Sequence, residues 1–180
     1  MKPIVQRLVG AAFALLFCLS VTAAAAPTFP SLTGRVVDDA NILSAQTKAD
    51  LTSRLSALET ETHNQVVVVT LPSLQGYEIE DYGYQLGRSW GIGQSRTNNG
   101  VLLIVAPTEH KVRIEVGYGL EGVLTDAWCS VVLQQRVLAK FRSGDYDAGV
   151  VAGTDAIIRQ LSLPADQAAV EASTFMSYRY

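Results

Sequence analysis

Two short stretches decide most of what this chain can become. Gln65 to Thr70 carries four consecutive valines, and Val101 to Val105 is wholly apolar. β-Branched side chains are stiff in a helix and pack well on a pleated surface, so both stretches read as strands; without polar alternation, both faces of each must be covered. Parallel strands also need a crossover, and the sequence between them supplies one. Ile79, Tyr82, Leu86 and Trp90 form one stripe at helical spacing over about residues 78–90, while Glu78, Glu80 and Asp81 in its first turn complement the helix dipole. The valine strand therefore runs parallel to the central one through a crossover helix.

Other elements follow from the same periodicities. After a turn at Pro107, Lys111, Val112, Arg113, Ile114, Glu115 and Val116 alternate strictly, the pattern of a returning hairpin strand with one wet face. Ser44 is an N-cap for a helix over about 45–62 that carries Leu51, Leu55 and Leu58 and ends near Asn64. Gly91 to Gly100 is a loop. A helix is predicted from Thr125 or Asp126 to about Phe141 with Gly144 ending it, and Asp145 caps a last helix with Val150, Thr154, Ile157 and Leu161. Residues 26–34, with Pro27, Pro30 and Gly34, read as a linker, and residues 164–180 as a flexible tail without periodicity. The expected fold is a single α/β domain over residues 35–163, a small mixed sheet flanked by helices.

The first residues have the order of a secretory signal. Lys2 and Arg7 precede an uncharged apolar run from Leu8 to Val21, followed by Thr22 and Ala23 to Ala26. Cleavage after Ala25 satisfies the small-residue rule through Ala23, so residues 1–25 are expected to leave, giving a soluble periplasmic or extracellular protein. The competing expectation is an N-terminal anchor, since Leu8 to Ala26 spans 19 residues. Lipid attachment at Cys18 is disfavoured by the bulky Phe17 before it. Export removes two of 14 basic residues and none of 17 acidic ones, leaving a net charge of −5. Such a chain lacks the basic clusters that nucleic-acid phosphates demand. It also retains Cys129 alone, so no intramolecular disulfide forms.

Several catalytic signatures fail on context. Gly117, Gly119 and Gly122 spell G-x-G-x-x-G, but after a hairpin return rather than at the start of a βαβ unit, so no nucleotide cofactor is expected. Cys129 and Arg136 enclose six residues instead of five and lie on a predicted helix. Asp145 and Asp147 form D-x-D away from any strand end. His63 and His110 have no partner with which to build a triad or a zinc site. Tyr118, an aromatic between two glycines on an exposed loop, is either packed across that loop or a candidate contact residue, and Gly117, Tyr118, Gly119 and Gly122 together form a candidate binding loop.

What remains is a set of oxygen donors: Asp38 and Asp39 before the first helix, Asn98 and Asn99 before the central strand, and Glu121 and Asp126 after the hairpin. Carboxylates, amides and loop carbonyls suit a hard divalent cation, Ca²⁺ first, provided that the three segments reach one end of the sheet.

Four segments in order, VVDDANILS (Val36 to Ser44), NNGVLLIVA (Asn98 to Ala106), VRIEVGYGLEGVLTDA (Val112 to Ala127) and FRSGDYDAGV (Phe141 to Val150), resemble the TPM domain family over roughly residues 35–161. The resemblance implies an extracytoplasmic α/β domain. Relatives include thylakoid-lumen proteins linked to photosystem repair and membrane-associated accessory proteins, some with proposed acid phosphatase activity and divalent-metal binding. Many bacterial members continue into a membrane span and a glycine-rich tail, which this chain does not show. The implied function is an accessory or binding domain for membrane-protein maintenance or envelope homeostasis, with a membrane or envelope protein as partner. The alternative is a metal-dependent acid phosphatase acting on phosphomonoesters.

Overall fold

The computed structural model describes residues 26–174; the residues read as a signal peptide, 1–25, and the end of the tail, 175–180, lie outside the described residues. Four strands form one sheet in the order β1 (Val36–Asp38), β2 (Gln65–Thr70), β3 (Gly100–Ala106) and β4 (Lys111–Val116). β1, β2 and β3 are mutually parallel, and β4 returns antiparallel to β3. The valine strand and the central strand are thus neighbours, with Val66 opposite Val101 and Val69 opposite Ile104. β1 has no counterpart in the sequence reading. Its three residues are too few for a period of two to register, and pairing of Val36 with Val68 and Asp38 with Thr70 creates it.

Alternation along the two inner strands splits the core into two layers. Val66, Val68, Val101, Leu103 and Val105 face α1 (Ala45–Thr62) and the C-terminal helices, whereas Val67, Val69, Leu102 and Ile104 face α2 (Ile79–Trp90). All four valines of β2 are fully buried, and each such side chain stabilises by roughly 1.5–3 kcal/mol relative to exposure. α1 starts where the Ser44 hydroxyl accepts from the Thr47 amide and stops at His63, whose φ of 61° no helix continues. α2 ends at Gly91 in the same left-handed region.

The helix expected from about 125 to 141 is present but not uniform. α3 (Asp126–Val132) passes through a π-helical turn, Leu133–Val137, into α4 (Leu138–Phe141). Val137 is fully buried at this irregular turn, against α5 (Tyr146–Leu161). The approach is close: a Cβ on Gly153 would lie 2.7 Å from Val137 Cγ2, and one on Gly149 would lie 2.4 Å from the Phe141 ring.

Two segments are more ordered than their sequences suggest. Residues 165–174 of the expected flexible tail form α6 (Ala165–Thr174), which buries Ala168 and Ala172. An alanine stripe carries little hydrophobic contrast, so periodicity did not reveal it. The fully enclosed Gln160 amide secures the helix by donating to the carbonyls of Val123 and Ala168, each at 2.8 Å. The linker, without helix or strand, lies along α2: Phe29 meets Tyr82 edge-on at 5.2 Å, the Tyr82 hydroxyl donates to Thr28 O, and Trp90 Nε1 donates to Pro30 O. Among the described residues, no helix is long and apolar enough to cross a membrane.

Candidate functional site

The candidate site is a groove at the end of the sheet where β3 begins and β4 stops. Its rigidity starts with Asn99, only 7% exposed. The side-chain oxygen accepts from Gln94 N and Thr97 Oγ1, both at 2.8 Å, while Nδ2 donates to the His63 carbonyl. Gln65 adds a second tie by accepting from Gly93 N at 2.7 Å. Through these bonds the polar loop of residues 91–99 is fixed against the ends of α1 and β2. Asn98 then takes φ 46°, and its carbonyl faces the loop that begins at Gly117.

The glycine loop rests on that carbonyl. Gly119 N donates to Asn98 O at 3.1 Å, and Gly117 N donates to Gly100 O at 2.8 Å. A Cβ on Gly117 would stand 2.2 Å from Asn98 O, and one on Gly119 would stand 1.9 Å from Thr97 O. The faces of these glycines are therefore filled by this chain's own backbone, which is why the spacing looks like a phosphate loop without having its form. The single side chain between them, Tyr118, turns into solvent at 77% exposure. Tyr118 and Glu121 line the groove, of about 570 Å³, together with Asn98, Glu115, Tyr84 and Arg88. Arg88 donates to the Tyr84 hydroxyl at 2.9 Å, and its guanidinium lies 5.5 Å from that ring. Sequence reading missed this pair, whose signal is an i, i+4 aromatic and arginine on the polar face of α2.

The six oxygen donors do not form one coordination shell. Asp38 ends β1, while Asn98 and Asn99 precede β3; in parallel strands these positions fall at opposite ends of the sheet. Asp38 is also fully engaged, accepting from Thr70 Oγ1 at 2.7 Å, Ile42 N at 3.1 Å, Lys48 Nζ at 3.1 Å and Leu43 N at 3.3 Å. Burial alone would raise its pKa, but those four donors prevail and lower it. Asp39 sits beside it at that same far end, its amide donating to Thr70 O. Asn99 has committed its side-chain oxygen, and Asp126 lies in the first turn of α3 behind the Thr125 cap, apart from the residues that line the groove. Asn98 and Glu121 alone of the six line it, and among the described residues no three His, Cys, Asp or Glu side chains gather in a metal-holding arrangement. Two donors fall short of the six to eight that calcium takes.

The other chemistry-bearing residues have structural partners. Burial, helped by the charge of Asp126, pushes the Cys129 thiol up to about 12, so it is neither a thiolate nor a nucleophile. Asp145 accepts from Ala148 N to cap α5, and Asp147 accepts from Ser44 N at 2.9 Å. His63 closes α1, and His110 lies in the β3–β4 turn at the opposite end of the sheet, beside a smaller cavity of about 220 Å³ that also includes Arg142 and Tyr146.

Comparison with known proteins identifies the fold and the family. The N-terminal domain of a protein from P. gingivalis, known from a solution NMR structure, is 38% identical with a TM-score of 0.66, covering 72% of this chain and 82% of that one. The N-terminal domain of the cg2496 protein of Corynebacterium glutamicum shares the fold at 17% identity and a TM-score of 0.57, over 79% of this chain and 91% of that one. The BA42 protein of the psychrophilic bacterium Bizionia argentinensis does so at 18% identity and a TM-score of 0.55, over 72% and 82%. No curated protein matches the chain. The TPM domain matches residues 36–160, from the first residue of β1 almost to the end of α5, and the chain belongs to the TPM domain family.

Proposed function

We propose that this chain is an exported accessory domain that binds a membrane or envelope protein through the groove beside Tyr118. One observation carries the reading: Tyr118 is 77% exposed on a loop whose backbone is pinned at Gly117 and Gly119. A large aromatic held in place before contact offers area at little ordering cost, which is what distinguishes a binding anchor from an ordinary surface residue. Glu121 and Asn98 stand in the same groove, so the divalent cation in this reading is completed by oxygen atoms of the partner. Export supports an envelope partner and rests on the N-terminal signal pattern.

A photo-crosslinking residue at position 118, introduced in the producing cells, tests the proposal. The expected product is one membrane or envelope protein, captured at position 118 and absent when the crosslinker replaces Val170, which is also exposed. Capture from both positions alike would reject the groove. Chelator-sensitive phosphomonoester turnover that disappears in Glu121→Gln would replace this reading with the hydrolytic one.

A further inference from the structure

We propose that β4 is the seam of a twofold homodimer, in which two copies pair antiparallel along their free edges into one continuous eight-stranded sheet. β4 lies at the margin of the sheet, with β3 on one side and, among the described residues, no strand on the other. The bond from Gly117 N to Gly100 O fixes the phase of the β3–β4 ladder. Hydrogen-bonded pairs alternate in an antiparallel ladder, so Leu102 with Glu115, Ile104 with Arg113 and Ala106 with Lys111 share that type. The backbone groups of Val112, Ile114 and Val116 therefore point away from β3, and none of the hydrogen bonds outside the ladder reaches them among the described residues. An edge of this kind is a template for another strand.

The occupant follows from charge. With the axis at Ile114, Ile114 meets Ile114, Val112 meets Val116, and the outward backbone groups fall into hydrogen-bonded pairs. The same register sets Arg113 opposite the second copy's Glu115, twice by symmetry. Within one copy Arg113 Nε already touches Glu115 Oε2 at 2.6 Å, so the four side chains close an alternating ring of charge across the seam.

An independent pattern on α2 agrees. This helix lies over the same face, with Glu80 Oε1 3.6 Å from Arg113 and Gly83 against Glu115. Glu80, Tyr84 and Arg88 recur at every fourth residue and are all exposed. The twofold that reverses β4 reverses α2 as well, pairing Glu80 with Arg88 and Tyr84 with Tyr84. A patch that complements itself under a twofold is the requirement of an isologous interface. Tyr84 and Arg88 also wall the groove, but the test below contains no ligand and so stands apart from the function proposed above.

Sedimentation of the exported protein over a concentration series, alone and as charge-reversed variants, decides the matter. Wild type should double in mass as concentration rises. Arg113→Glu and Glu115→Arg should each stay monomeric, because each opposes like charges, and an equimolar mixture of the two should recover the doubled mass. A wild type that remains monomeric to about millimolar concentration, the effective concentration of a short tether, would overturn the proposal. So would dimers of either variant alone, which would place the contact elsewhere. Amide exchange on the wild type guards against a variant that fails to fold: Val112, Ile114 and Val116 should slow with concentration, and unchanged rates at all three reject the seam.

Discussion

The Thr70 hydroxyl donates to the Asp38 carboxylate at 2.7 Å, joining the C-terminal ends of β1 and β2. Asp38 also receives the Ile42 and Leu43 amides and the Lys48 ammonium, so one carboxylate organises the turn into α1. Its side chain is only 2% exposed. Asp38→Asn turns an amide donor toward donors and should destabilise by about 2 kcal/mol, measured by urea unfolding. Burial opposes ionisation here, yet the four donors hold the native pKa below the usual carboxylate value. The stabilisation is therefore complete above the unfolded value of about 3.9 and is lost as pH falls through the lower native value. Wild-type stability should decline below about pH 4 more steeply than that of the variant; parallel acid limbs would show that Asp38 is not the titrating support.

The glycine loop predicts two unlike alanines. Gly119→Ala drives a methyl into the Thr97 carbonyl, 1.9 Å away, and should cost about 2 kcal/mol with shifts in amide spectra over residues 94–99 and 117–121. Gly122→Ala meets nothing within 4 Å and should change stability by less than about 0.5 kcal/mol. Equal effects would mean that the loop is not seated on residues 97 and 98.

Cys129 should resist alkylation in the folded protein. Its Sγ is buried and lies 3.7 Å from Leu124 O, and burial with the nearby Asp126 charge pushes the thiol up to about 12. At pH 8, iodoacetamide should label the Cys129 peptide only after denaturant is added. Labelling of native protein at the rate of a free thiol would show an opening that the packed α3 does not have.

Calcium without a partner should leave the melting temperature within about 1 °C of that in chelator, because ligand stabilisation requires occupancy and Asn98 and Glu121 supply too few donors. A larger shift that survives in Asp126→Asn and vanishes in Glu121→Gln would establish an ion in the groove without help from another protein.

The strands and crossover were legible because Val66 to Val69 and Val101 to Val105 are stiff, apolar and long enough to show their period. β1 and α6 were not, since three residues and a pair of buried alanines carry almost no periodic signal. The site was half legible. Tyr118 between glycines left a contact residue and an aromatic packed across the loop both open, and its 77% exposure decides for the first; the donor set depended on segments near in sequence to strand ends sharing one end of the sheet. Strand direction decides that question: Asp38 follows a strand parallel to the one that Asn98 precedes. Composition could not show that Asp38 and Asn99 spend their oxygens on their own turns.

The tie between Asp147 and the Ser44 amide links residues 103 positions apart, and Arg54 meets Asp155 across 101. Among the described residues every strand is complete by Val116, yet the core layer that α1 begins to cover is completed only when α5 is added, ending at Leu161. Distant contacts must close large loops before they are rewarded, so they form late. A growing chain thus makes residues 117–161 with its strands complete and that hydrophobic layer still unfinished. The C-terminal half of the chain is thus the lid of its N-terminal layer, and that layer is not closed until residue 161 has been made.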